Sequence, residues 1–110
     1  TDHRITGEVR LISTPGHTPG HVSVRIESAG EVAIITGDMA HHPIQFADPS
    51  LCSNFDDSQA RSAETRRAFV AEHADSNILI LGTHFTAPTG GHIVSDAESW
   101  RFVPPASGEA

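Results

Sequence analysis

Three residues with chemically active side chains share one pattern in this sequence: His17, Asp38 and His84 each come just after a predicted strand. Side chains at neighbouring strand ends of one sheet are held firmly, as a metal site requires. Imidazole nitrogen and carboxylate oxygen are donors that zinc-type ions accept. The order and spacing of these residues therefore predict a metal site formed by all three.

The histidine content favours the same chemistry. The chain has eight histidines and a single cysteine, Cys52, a composition suited to ions bound by nitrogen and oxygen, such as Zn, Mn or Fe. A plainer alternative is that half of these histidines are surface or capping residues. The lone cysteine excludes an internal disulfide framework.

The predicted strands are short, and the turns between them are well marked. Two Pro-Gly pairs within residues 14–21 force turns and exclude helix after a first strand over 8–13. Alternating apolar residues predict a half-buried strand over 21–27, and a hairpin turn then leads to a buried strand over 31–36. Further strands are predicted over 77–82, 92–94 and 100–103.

One main helix is predicted, over 60–74, and Arg66 and Arg67 are expected on its solvated face. Residues 39–54 show no periodicity and are predicted to form a long loop, which in a compact domain is usually functional. Together these elements indicate the α/β (α+β) class, with a mixed sheet and one main helix. The candidates for the inner face of the helix are Ala63, Ala68, Phe69 and Val70.

Length and charge exclude several classes of partner. With 110 residues the chain has the size of one small domain. It carries 7 basic and 14 acidic residues, a net charge of −7 with neutral histidines, which argues against nucleic-acid binding. Its apolar runs are far shorter than the stretch of about 20 residues that crosses a membrane. Neither nucleic acid nor membrane is therefore expected as a partner.

Several segments resemble a known family. The double Pro-Gly-His motif over 14–21, Gly37-Asp38 and Gly82-Thr83-His84 resemble the C-terminal half of metallo-β-lactamase-fold hydrolases, with 21 residues from His17 to Asp38 and 46 from Asp38 to His84. The resemblance covers residues 7–104. Three further segments, the stretch 45–50, the helix after it, and Gly91-His92-Ile93 with the closing segment 100–104, resemble the methyl parathion hydrolase and lactonase branch.

The resemblance implies a fold and a chemistry. Residues 1–104 would form the second half of an αββα sandwich, followed by a polar tail over 105–110. Two divalent metal ions would be bound, Zn in the first place, with Mn, Fe or Co as alternatives. His17 would bind one ion, His84 the other, and Asp38 both. A hydroxide between the ions would attack a small-molecule lactone, ester or organophosphate-type substrate.

The remaining ligands of the family come from a His-x-His-x-Asp-His motif, which this chain lacks. Asp2-His3 is similar to the end of that motif, but only 13 residues separate His3 from His17. Because Thr1 is not a methionine, we expect the chain to begin inside the domain, with the missing N-terminal half as its partner. The chain alone is then expected to be inactive. Two alternatives remain open: a non-catalytic fragment or binding module with a partial metal site, and a metal-free scaffold.

The resemblance also points to residues around the metal site. Lactonase relatives often place a Tyr near the position of His41, where it donates a hydrogen bond to the substrate oxygen. A neutral imidazole can donate in the same way, so His41 is a candidate catalytic residue together with Asp38. The alternative for His41 is exposure at the surface. Phe55 and Phe85 are candidates for an apolar substrate pocket. A homodimer is left open, and a cytoplasmic location is expected, with a periplasmic or secreted one left open.

Overall fold

The computed structural model describes residues 3–52, 56–85 and 89–104. In this part of the chain seven strands form one mixed sheet, in which each strand lies beside its neighbours in sequence. All adjacent strands pair antiparallel except β4 and β5, which are parallel. The strands are β1 (His3–Arg4), β2 (Val9–Ser13), β3 (Val22–Ser28), β4 (Glu31–Ile35), β5 (Leu79–Leu81), β6 (Gly90–Asp96) and β7 (Ser99–Val103).

The parallel pair requires a crossover connection, because its two strands run in the same direction. A 15-residue helix supplies it: α2 (Gln59–His73) follows a single helical turn, α1 (Ile44–Ala47), and a short 3₁₀ helix (Gly37–Met39). The mixed sheet with one main helix confirms the predicted fold class. No helix in the described part of the chain is long and apolar enough to cross a membrane.

The core lies between α2 and one face of the sheet. Ile34 on β4, Ile80 on β5 and Ile93 on β6 are at most 1% exposed, and they belong to one apolar cluster with Phe69 and Val70 of the helix. The central strands therefore stack isoleucines beneath the helix, and this burial is the main stabilising term of the described fold.

The opposite face of the sheet is also apolar. Leu11, Val24, Ile35 and Leu81 are register partners across four adjacent strands, β2 to β5. A second row, from Val9 on β2 to Leu79 on β5, runs parallel to it. All of these side chains are only half-buried. A sheet that is apolar on both faces is typical of an internal layer between two other layers.

The structure corrects several predictions from sequence. Residues 39–54 are not a plain loop, because α1 lies within them; one helical turn is too short to show a period. Ala68 is exposed, whereas Arg66, expected in solvent, is fully buried. The helix has no continuous apolar stripe and instead presents a mixed face to the protein. The buried residues of that face are Ser62, Arg66, Phe69, Val70 and His73.

A close backbone contact joins the helix to the turn that carries His17. Gly16 has φ +138°, and a Cβ at this position would lie 2.3 Å from the Cα of Ser62. The Ser58 amide donates to the Gly16 carbonyl at 2.9 Å, and the Thr65 hydroxyl donates to the Pro15 carbonyl at 2.6 Å. The turn therefore rests directly on the first half of α2, and only glycine allows this approach.

We predict that Gly16→Ala lowers the free energy of unfolding by about 2 kcal/mol or more, because the new methyl group both strains the backbone and clashes with the helix. Gly20→Ala, four residues away, is the matched control: a Cβ there has nothing within 4 Å, so its effect should stay within about 1 kcal/mol. Denaturant titration of both variants measures the difference. Equal stabilities would contradict this packing.

Candidate metal centre

His17 is held in place by two contacts from the segment that precedes α2. Its carbonyl accepts from the Asp57 amide at 2.9 Å, and its Nδ1 donates to Oδ1 of Asp56 at 3.0 Å. Nδ1 must be the donor, because a carboxylate only accepts. In the neutral ring the lone pair then lies on Nε2, which is 3.5 Å from Oδ2 of Asp38. His17 is therefore oriented with its ligating nitrogen towards Asp38.

Asp38 lies in the 3₁₀ helix that follows β4, and its backbone is fixed from two sides. Its amide donates to Nε2 of His21 at 2.9 Å, and the preceding Gly37 amide donates to the Thr83 hydroxyl at 3.1 Å. The other His21 nitrogen, Nδ1, donates to the Thr14 carbonyl at 3.1 Å. Burial lowers the pKa of His21, which favours the neutral ring that can accept from Asp38. With both nitrogens engaged, His21 supports Asp38 and offers no donor to an ion.

His84 lies in the turn directly after β5 and donates from Nε2 to Oδ1 of Asp38. This hydrogen bond, with a smaller electrostatic contribution from His17, lowers the pKa of the Asp38 carboxyl below its ordinary value. The two carboxylate oxygens of Asp38 thus face different histidines, His84 on one side and His17 on the other. Both the Asp38 and His84 side chains are more than 40% exposed, so the centre opens to solvent.

His41 is a fourth member of the cluster. Its ring stacks on His84 with centroids 4.8 Å apart and lies 5.7 Å from the ring of His17. Burial and then the neighbouring His84 lower its pKa, which favours the neutral ring. Its Nδ1 is buried and has no hydrogen-bond partner among the residues that the structure describes. His41 is therefore half-buried beside the centre, and its catalytic role stays a prediction.

The donor set fits a divalent ion. Asp38, His41 and His84 each offer a ligand atom within 4.8 Å of the other two, and His17 adds a fourth donor beside the carboxylate. Imidazole and carboxylate are the ligands of zinc-type sites, and an oriented His17 paired with a carboxylate is typical of metal-binding histidines. These four donors would be too few for two ions, since each needs three or four protein ligands.

The other predicted site residues lie elsewhere or outside the description. Phe85 is 6% exposed and packs in the core against Phe46 and Phe102, so its place in a pocket wall stays a prediction. Phe55 lies outside the described residues. The sequence reasoning missed Asp56, whose side chain is 1% exposed. Asp56 is not the N-cap of α2, since Ser58 occupies that position by accepting from the Arg61 amide.

Comparisons with known proteins identify the family and the fold. The model of the metallo-beta-lactamase superfamily matches residues 1–101. The N-acyl homoserine lactonase of Bacillus thuringiensis is 30% identical over 105 residues, which cover 94% of this chain and 38% of that protein. The lactonase AiiA of Bacillus thuringiensis subsp. kurstaki matches equally. The chain thus spans less than two fifths of the length of these curated relatives.

Solved structures show the same fold. The hydrolase AbOPH of the beta-lactamase superfamily is 30% identical, with a TM-score of 0.84 over 94% of this chain and 36% of its own. The dizinc quorum-quenching lactonase AidC, solved with N-hexanoyl-L-homoserine as product, is 22% identical with a TM-score of 0.87, covering 97% of this chain and 37% of its own. The match over residues 1–101, with His17, Asp38 and His84 meeting at one sheet edge, shows that the chain belongs to the metallo-beta-lactamase superfamily.

Proposed function

We propose that this chain is one part of a metal-dependent hydrolase that opens the ring of a lactone. The observation that carries the proposal is that Nε2 of His17 and Nε2 of His84 lie beside different carboxylate oxygens of Asp38. Lactones are the favoured substrate class because the curated relatives are named N-acyl homoserine lactonases. An organophosphate-type ester, suggested by the sequence resemblance, is the second class to assay.

The residues of this chain would have different roles in the reaction. His17 and His84 would each hold one divalent ion, and Asp38 would serve both. Bound divalent ions supply Lewis-acid polarisation of the substrate and activation of water at neutral pH. His41 stands beside His84 as a neutral imidazole. Since its Nδ1 is buried, its Nε2 is the nitrogen that would donate to the polarised oxygen of the substrate. Zinc is the proposed ion, with Mn, Fe or Co as alternatives.

The proposal includes a segment outside this chain that completes the site. The three ligands His17, Asp38 and His84 do not satisfy two ions, and the apolar sheet face that includes Leu11 and Val24 is only half-buried. A preceding layer of the domain would cover that face and bring further ligands over the solvent-open side of Asp38. The intact protein, meaning this chain with that layer, is the form in which we expect activity.

Metal content tests the ligand set. We predict that the intact protein binds two divalent ions and that His17→Ala, Asp38→Ala and His84→Ala each lose at least one, because each removes a donor. His92→Ala on β6 is the matched control and should retain both ions. Elemental analysis of the purified proteins measures the ratio. Full metal occupancy in all three ligand variants would contradict the assignment.

Hydrolysis of N-acyl homoserine lactones tests the reaction. We predict that the metal-loaded intact protein converts them to N-acyl homoserines, that a chelator abolishes the activity, and that Zn restores it. Residues 1–110 alone should be inactive because their site is incomplete. Chromatography of the acid product measures the rate.

Two outcomes would contradict parts of this account. A metal-loaded intact protein that hydrolyses neither the lactone nor an aryl phosphotriester would exclude the proposed reaction. Efficient hydrolysis by residues 1–110 alone would show that no further segment is needed.

His41 is expected to act on the substrate. We predict that His41→Ala lowers kcat/KM at least about tenfold, or about 1.4 kcal/mol, with unchanged metal content, because a donor to the developing oxyanion is lost. His41→Tyr keeps a donor and should recover part of the rate. Steady-state kinetics with metal analysis decides the matter. A loss in kcat/KM below about threefold would contradict this role of His41. A loss of metal would instead identify His41 as a ligand.

A further inference from the structure

A charged side chain lies at the centre of the described fold without touching the metal centre. Arg66 of α2 is 0% exposed, and a guanidinium stays ionised at any ordinary pH. Burying a charge is costly unless it is paired and its donors are satisfied. The contacts of this side chain should therefore show which segments of the chain it connects.

All five N–H groups of Arg66 have an acceptor. Nε donates to the Pro49 carbonyl at 3.1 Å, and the two terminal nitrogens donate to two acceptors each. One of those acceptors, the Met39 carbonyl at 3.0 Å, belongs to the residue directly after Asp38. The acceptors of the terminal nitrogens are the Met39 carbonyl and Ser62 Oγ for one, and the Leu51 carbonyl and Cys52 Sγ for the other.

The positive charge of Arg66 also has a carboxylate partner. Oδ2 of Asp56 is 3.9 Å from Nη1 of Arg66, and both side chains are 1% exposed. The other oxygen of the same carboxylate, Oδ1, accepts from Nδ1 of His17. Asp56 is thus shared between a buried cation and a candidate metal ligand, and its position depends on both.

A third branch reaches His41. The Leu51 carbonyl accepts from Arg66 at 2.7 Å and from Nε2 of Gln45 at 2.7 Å. The Gln45 side-chain oxygen in turn accepts the His41 amide at 2.6 Å. Gln45, in the middle of this branch, is 6% exposed. Two segments of the site are therefore tied to one guanidinium, that of His17 through Asp56 and that of residues 38–41 through two separate branches.

We propose that Arg66 is a positioning residue. Through Asp56 it fixes the ring of His17. Through the Met39 and Leu51 carbonyls it fixes the segment from Asp38 to His41. The idea rests on the proposed metal site, because positioning matters only if His17 and Asp38 are ligands. Arg66 sets their geometry before an ion arrives and touches neither ion nor substrate. A lysine cannot replace it, since an ammonium lacks the planar fork that meets carbonyls on both sides.

The test compares neighbouring residues in the intact protein. Arg66→Met and Asp56→Ala break the network, while Arg67→Met and Asp57→Ala alter the adjacent exposed residues. We expect the first pair to weaken Zn affinity about 10- to 100-fold, as loss of residues that orient ligands does, and the second pair to change it less than threefold. Competition with a chromophoric chelator measures the affinity, and circular dichroism identifies variants that remain folded.

A second readout needs no metal. With ¹⁵N-labelled histidine in the metal-free protein, the neutral His17 ring should carry its proton on Nδ1. We expect Asp56→Ala to lose this tautomer and Asp56→Asn, which keeps an acceptor oxygen, to retain it. A general structural role would lower stability but would not discriminate between these two variants. Arg66→Lys should stay folded and still show weakened Zn affinity.

The outcomes separate the two proposals. If the unaltered protein binds no Zn, the proposed function fails, and the His17 tautomer still tests the contact with Asp56. If the protein binds Zn and folded Arg66→Met or Arg66→Lys binds it within threefold of the unaltered protein, the positioning role is overturned. An unchanged His17 tautomer in Asp56→Ala overturns it equally, whether or not Arg66→Met folds.

Discussion

The parallel pairing of β4 with β5 is the constraint on which the candidate site depends. Parallel strands end at the same edge of a sheet, so the residues after them emerge side by side although 46 positions separate Asp38 from His84 in sequence. The Thr36 amide extends the pairing to the Leu81 carbonyl at 3.0 Å, and Gly37 then bonds to Thr83. These contacts align the two turns without any contribution from the side chains of the centre.

Helix α2 follows from the same pairing and serves the site twice. As the crossover it returns the chain to start β5 in the same direction as β4. Its first half also supports the turn that carries His17, through the contact of Gly16 with Ser62. The mixed polar and apolar face of α2 has a structural reason, because Arg66 extends from that face and donates to the carbonyls of Met39 and Pro49.

Much of the site could be predicted from sequence because its signals are local. A buried strand followed at once by histidine or aspartate can be recognised without tertiary contacts, and His17, Asp38 and His84 were found in this way. The role of Arg66 could not be predicted, since three of its acceptors are backbone carbonyls 15 to 27 positions away, and a carbonyl that will accept such a bond has no sequence pattern. Helix α1 was missed for another reason, because a single turn shows no periodicity. Asp56 lies 39 positions from His17, and only the contact between the two side chains reveals its role.

The central claim is that His17 and His84 hold ions on opposite oxygens of Asp38. Anomalous diffraction at the zinc edge from crystals of the Zn-loaded intact protein tests it most directly. The account predicts two peaks about 3.5–4 Å apart, one about 2.0–2.2 Å from Nε2 of His17, the other as close to Nε2 of His84, and each within the same distance of one Asp38 oxygen. A map in which zinc lies away from Asp38, or in which His17 contacts no ion, would contradict it.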